Sequence, residues 1–88
     1  MNEITVEIKD LINKLDQLLK VERFSAYAKI KEHYQIALKL INSDNIPAAK
    51  TEISNTIRIF MEAPPADKEL GQKILILMDK IYNKINII

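Results

Sequence analysis

Residues 4–19 read ITVEIKDLINKLDQLL and carry the clearest structural pattern in the chain. Ile4, Ile8, Leu11, Leu15 and Leu18 follow one another at steps of four, three, four and three residues. An α-helix turns once every 3.6 residues or so, and this spacing therefore places all of these side chains along one face. The segment predicts an amphipathic helix whose apolar stripe packs against other elements.

A second apolar stripe begins after a change of phase at residues 21–25. Continuing the first stripe beyond Leu18 would bury Glu22, Ser25 and Lys29, which are residue types that are rarely buried. The phase change predicts a break between two helices, although no Gly or Pro marks it. The stripe of the second helix consists of Tyr27, Ile30, Tyr34, Ala37 and Ile41.

Two further breaks carry turn-forming residues. Residues 42–45 read NSDN, and Pro47 suits the first turn of a new helix because a missing N–H group costs little there. The pair Pro64-Pro65 ends that helix, since the residue before a proline is disfavoured in the α conformation. Asp67 is placed to cap a fourth helix.

The third and fourth helices have apolar stripes of their own. Gly71, in the first turn of the fourth helix, is expected to allow the close approach of another backbone. Similar helix lengths and short connections predict an all-α, antiparallel four-helix bundle that forms one domain over residues 1–88. A three-helix arrangement with a long first hairpin is the alternative. The predicted core residues are Ala49, Ile53, Ile57 and Phe60 in the third helix, and Leu70, Ile74, Leu77, Ile81, Ile85 and Ile88 in the fourth.

The composition predicts a soluble globular protein and excludes several kinds of site. The chain is 48% apolar and 28% charged, which is typical of globular domains. The lack of Cys excludes disulfides and thiolate zinc sites, and a single Gly excludes a glycine-rich phosphate loop. A net charge of +1 gives no reason to expect nucleic acid as a partner. The longest apolar run, residues 74–78, is too short to span a membrane, and the N-terminal residues lack the pattern of a secretory signal.

No group of residues predicts catalysis, a cofactor or a metal site. His33 is the only histidine, and we expect it to be a boundary residue at the flank of the second stripe. A general base there would need a nucleophile and an orienting group that the sequence does not indicate. Glu3 and Glu7 lie four residues apart, but their place near a helix N-terminus is explained by the helix dipole. The chain is therefore predicted not to be an enzyme.

The most informative feature for function is an excess of apolar residues outside the stripes of the last two helices. One stripe covers little more than about 100° of a helix, and these residues therefore cannot all face one core. They predict a surface that binds another protein or a second copy of the chain, unless the fourth helix is buried on all sides. The residues concerned are Ile59, Met61, Leu75, Ile76 and Met78.

The chain also resembles a family, the small helical immunity proteins of lactic-acid and related bacteria that are paired with pediocin-like bacteriocins. Residues 46–47 (IP), 52–55 (EISN) and Ile57 are similar to the third helix of some members, and residues 70–82 are similar to the fourth. The resemblance implies a cytoplasmic protein that protects its producer by acting on the toxin-engaged sugar-transporter receptor. It also implies that the C-terminal half sets specificity.

The resemblance and the apolar excess together give a predicted partner-binding surface. Its apolar anchors are Phe60, Met61, Ile76 and Met78. The resemblance adds nearby charged residues as determinants of specificity. The partner would be a toxin or a toxin-engaged receptor; the alternative is a homo-oligomeric adaptor in which the same residues close a symmetric dimer. The charged residues are Arg58, Glu62, Asp67 and Lys68.

Overall fold

The chain folds into four α-helices. A computed structural model describes residues 2–87, and the side chains of residues 3–87, and this part of the chain contains no β-strand. The all-α four-helix bundle is confirmed, and the three-helix alternative is wrong. The helices are α1 (Asn2–Val21), α2 (Ser25–Asn42), α3 (Ile46–Glu62) and α4 (Lys68–Asn86).

The helices form a ring in which each packs against two neighbours. Helix α1 contacts α2 and α4, and α3 contacts α2 and α4. Lys84 near the end of α4 binds Glu3 near the start of α1, and Tyr27 in the first turn of α2 donates to the carbonyl oxygen of Ala63 just after α3. Both contacts join opposite helix ends, which shows that these neighbours run antiparallel. The bundle measures 35 × 20 × 19 Å.

The helix ends lie where the sequence places them. The break after α1 falls within residues 21–25 as predicted, and Pro47 lies in the first turn of α3. The turn between α2 and α3 includes Asp44 in a left-handed conformation with φ of 59°, which Asp tolerates better than most residues. The Asp67 carboxylate accepts a hydrogen bond from the Leu70 N–H group at 3.0 Å, which confirms that Asp67 caps α4.

The predicted core is confirmed in full for α1 and α2 and needs a correction in each of the other helices. Every residue of the first two stripes is buried. In α3, Thr56 is fully buried where Ile57 was expected, and in α4, Met78 is fully buried where Leu77 was expected. Ile57, Leu77 and Leu70 are half-buried at the edge of the core. Ile88 lies outside the described residues.

Burial of Thr56 is possible because its hydroxyl group has partners. It donates to the carbonyl oxygen of Ile53 at 2.6 Å and lies 2.9 Å from the hydroxyl oxygen of Tyr34, which is itself fully buried. Burial raises the pKa of Tyr34 far above its usual value, and the hydroxyl therefore remains neutral. The two hydroxyl groups satisfy each other inside the core.

Two groups of polar contacts hold α1 against α4, one near each end of the bundle, and Lys80 adds a longer ion pair to Glu7 at 3.9 Å. At one end the Lys84 ammonium group binds the carboxylates of Glu3 at 2.5 Å and Glu7 at 2.6 Å, and we call this contact the Lys84 clasp. At the other end the Glu22 carboxylate accepts hydrogen bonds from two backbone N–H groups, at 2.8 and 2.9 Å, and we call this the Glu22 clasp. The two donors belong to residues 66 and 67, directly before α4.

The Lys84 clasp makes stability depend on pH at both extremes. The hydrogen bond to Lys84 lowers the pKa of Glu3, and the hydrogen bonds to Glu3 and Glu7 raise the pKa of Lys84. The contribution of Glu3 is therefore present above the ordinary Glu pKa of 4.5 and is lost as the pH falls through the lowered value. The contribution of Lys84 is present below 10.5 and is lost as the pH rises through the raised value.

We expect Lys84→Met to be less stable than the wild type at neutral pH and to show a weaker loss of stability towards both pH extremes. Thermal unfolding across the pH range measures this, with Lys73→Met, at an exposed i,i+4 pair with Glu69, as the matched control. Burial raises the pKa of Tyr27 and Tyr34 in every variant, and only the difference between variants therefore reports the clasp. If the Tm of Lys84→Met and that of the wild type changed with pH in the same way, the proposed role of the Lys84 clasp in pH-dependent stability would be contradicted.

Candidate functional site

A groove of about 390 Å³ lies between the C-terminal end of α3 and the first half of α4. It contains three of the residues predicted to bind a partner, Phe60, Met61 and Lys68. Most of its lining is apolar, and Lys68 is the charged residue among the lining side chains. The remaining lining residues are Pro64, Pro65, Gly71, Gln72 and Leu75.

One end of the groove is shaped by the contact of Gly71 with the ring of Pro65. A Cβ atom at position 71 would lie 3.3 Å from Cγ of Pro65, which is closer than an ordinary van der Waals contact. A close neighbour is therefore present at Gly71, but it is a proline ring and not the backbone that the sequence predicted. Because a side chain at this position would press on Pro65, the glycine lets the loop after α3 lie directly on α4.

The loop that forms this wall is also held from the first half of the chain. Besides the Glu22 clasp, the hydroxyl group of Tyr27 donates to the carbonyl oxygen of Ala63 at 3.0 Å. The Tyr27 ring packs on Phe60 with 6.5 Å between the ring centroids and on Phe24 with 5.5 Å. The groove is therefore built on a backbone fixed by α1 and α2.

The four predicted apolar anchors divide into two exposed and two buried residues. Met61 is 63% exposed and Ile76 is 56% exposed, and both can contact a partner. Phe60 is only 4% exposed and Met78 is fully buried, so their assignment as surface anchors is wrong. Phe60 lies on the core stripe of α3 against Tyr27, and Met78 lies on the core stripe of α4.

The predicted charged residues lie on two sides of Met61. Lys68 lines the groove, whereas the carboxylate of Asp67 is occupied by the cap of α4. Arg58 and Glu62 line a second cleft, of about 320 Å³, on the side of α3 that faces α2. The structure therefore does not bring the charged residues into one pocket. The second cleft is lined by His33, Asn55, Arg58, Ile59 and Glu62.

His33 is a half-buried boundary residue, as expected, and has a partner that the sequence did not indicate. Its Nδ1 atom lies 2.5 Å from a carboxylate oxygen of Glu52, and this contact joins α2 to α3. The cleft beside it has no Ser, Thr, Cys or Lys among its lining residues. Within residues 3–87, no three His, Asp or Glu side chains are grouped as metal ligands.

Glu62 occupies an electrostatically unfavourable position. It ends α3, where the helix dipole is negative, and the described last turn of this helix contains no basic residue. Arg58 precedes it by four residues, a spacing at which side chains on one helix can pair, yet the described part of the chain shows no ion pair between them. An unfavourable charge that no described residue compensates is typical of a functional surface.

We call the exposed residues predicted to bind a partner on these two helices the α3–α4 surface and define it as Arg58, Met61, Glu62, Lys68 and Ile76. Comparison with protein-family models, with curated proteins and with solved structures finds no match for this chain. None of the described helices has the length and apolar character required to cross a membrane.

Proposed function

We propose that this chain is a non-catalytic protein-binding bundle and, within that class, a cytoplasmic immunity protein that protects its producer from a bacteriocin or a related bacterial toxin. The carrying observation is the α3–α4 surface, where an exposed Met61 lies beside an apolar groove. The charged side chains of Arg58 and Glu62 lie beside Met61 on α3 and form no ion pair with each other among the described residues.

The composition of this surface supports binding to a protein. Protein interfaces concentrate their affinity in a few apolar or aromatic residues surrounded by a polar rim. Met61 supplies a flexible apolar side chain that can adapt to an irregular contact, and the groove beside it can accept an apolar side chain of the partner. Arg58, Glu62 and Lys68 are placed to select the partner by charge.

The kind of partner is supported by the sequence resemblance. The segments that resemble bacteriocin immunity proteins are residues 46–47, 52–55 and Ile57 in α3 and residues 70–82 in α4, and these two helices carry the α3–α4 surface. In that family the C-terminal half is the part that sets specificity. The proposed partner is therefore the toxin itself or its receptor in the toxin-engaged state.

The test is protection of a sensitive strain. Cells that express the wild-type chain are challenged with a panel of bacteriocins, and survival is compared with that of cells expressing Met61→Glu. We expect protection by the wild type and its loss in the variant, because loss of a central contact of about 2 kcal/mol lowers affinity roughly 30-fold. Val6→Glu is the matched control, since Val6 is an equally exposed apolar residue on α1.

The two ways in which this test can fail have different meanings. Survival that is unchanged by Met61→Glu would contradict the role of the α3–α4 surface. An absence of protection by the folded wild-type chain against every bacteriocin class in the panel would contradict the immunity function.

A further inference from the structure

The outward face of α3 carries a charge pattern that complements itself. Arg58 and Glu62 are exposed and one helical turn apart, and the described structure pairs neither with the other. When two copies of α3 lie antiparallel and are centred on residue 60, position 58 of each copy lies opposite position 62 of the other. A twofold axis at this point therefore sets each Arg58 against a Glu62 of the second copy.

The apolar residues of the same helix flank this charged stripe on both sides. Met61 lies on the side of the groove and is exposed, and Ile59 lies on the side of the polar cleft and is half-buried. The twofold axis brings Met61 next to Met61 of the second copy and Ile59 next to its own counterpart. The contact thus has two Arg58–Glu62 ion pairs at its centre and an apolar pair on each side.

We propose that two copies of this chain associate through the outward face of α3 as an isologous antiparallel dimer. This inference goes beyond the proposed function, because it concerns the free protein. The partner at this face is a second copy of the chain, because an antiparallel copy of α3 places its Glu62 opposite Arg58 and its Arg58 opposite Glu62. The dimer covers Met61, and dimerisation and binding of a foreign partner through the α3–α4 surface therefore exclude each other.

The test is the molar mass in solution, measured by size exclusion with light scattering over a hundredfold range of concentration. The monomer has a mass of 10.2 kDa, and we expect the wild type to move towards twice that value as concentration rises. Arg58→Glu and Glu62→Arg each place like charges opposite one another at two points. Each should raise the dissociation constant by about tenfold or more.

The double variant Arg58→Glu/Glu62→Arg restores opposite charges across the axis and should recover the wild-type dissociation constant within a few fold. Lys29→Glu, a charge reversal at an exposed residue of α2, is the control and should leave the mass unchanged. Circular dichroism of each variant verifies that the helices are intact. Recovery by the double variant would not follow from a merely structural effect of either substitution.

Three results would overturn the proposed dimer. They are a wild-type mass of 10.2 kDa at all concentrations, a dimer that both single variants leave intact, and a double variant that stays monomeric. Each leaves the bacteriocin test unaffected, because a chain that is monomeric in solution can still protect cells through Met61. Conversely, recovery of the dimer in the double variant would support the proposed dimer even if the chain protected cells from no bacteriocin.

Discussion

Replacement of Met78 by Ala should lower the free energy of unfolding by about 2–5 kcal/mol, because it leaves a cavity in the centre of the bundle. Ile76→Ala should change it by less than about 0.5 kcal/mol. The two residues are two positions apart in one apolar run, but Met78 is fully buried and Ile76 is 56% exposed. In a domain of this size, a loss of 1 kcal/mol shifts Tm by roughly 4–8 °C.

Urea unfolding of the two variants and of Leu77→Ala decides the register of α4. Leu77 is half-buried at the edge of the core, and its truncation should therefore cost less than that of Met78. A larger cost at Leu77 than at Met78 would support the stripe predicted from the sequence and contradict the structure. The same experiment shows whether Ile76 can be changed in binding assays without loss of the fold.

Replacement of Thr56 by Val should lower the free energy of unfolding by about 1–3 kcal/mol, although the two side chains have nearly the same shape. The hydroxyl group of Tyr34, 2.9 Å from that of Thr56, would remain buried without this partner. Tyr34→Phe should cost less, since the Thr56 hydroxyl keeps its hydrogen bond to the carbonyl oxygen of Ile53.

The double variant Thr56→Val/Tyr34→Phe should be more stable than Thr56→Val alone, because both polar groups are then removed from the core. Chemical denaturation of the wild type, the single variants and the double variant closes a double-mutant cycle. Destabilisation by the double variant that equals the sum of the two single variants would show that the hydroxyl groups do not depend on each other.

Much of the fold could be predicted because, in each of the first two helices, only one set of apolar residues at helical spacing can form the stripe that faces the core. In α4 the run over residues 74–78 is apolar throughout, and the steps from Ile74 to Ile81 are equally regular through Leu77 or through Met78. Contacts with neighbouring helices, which the sequence does not record, select Met78. In α3, side-chain polarity favoured Ile57, but a hydroxyl partner supplied by α2 allows Thr56 to be buried.

The candidate site could be predicted only in part, because the pattern of apolar residues in α3 and α4 fits more than one assignment of exposed positions. The apolar excess correctly indicated exposed residues, and Met61 and Ile76 are among them. It could not tell which member of neighbouring apolar positions is exposed, and Phe60 and Met78 were assigned wrongly. The groove itself depends on Pro65 lying against Gly71, a contact that was not predicted, because the prolines indicated only the end of α3 and Gly71 only the close approach of a backbone.

Contacts between helices were beyond the reach of the sequence. The pair formed by His33 and Glu52 joins residues nineteen positions apart, and the Lys84 clasp joins the first helix to the last. Such pairs depend on how far one helix slides along another, which periodicity within each helix does not determine.

The contact between α1 and α4, which the two clasps hold together, is the weak point of the bundle. Three of the four pairs of neighbouring helices are also joined by a connecting loop. Helices α1 and α4 are instead held together near their ends by the charged groups of Lys84 and Glu22. Charge-based fastenings weaken with ionic strength, and covalent loops do not. We therefore expect the ring of helices to open first by separation of α1 from α4. Because Glu22 also holds the loop beside the groove, such an opening would change the shape of the binding surface without unfolding the helices that carry it.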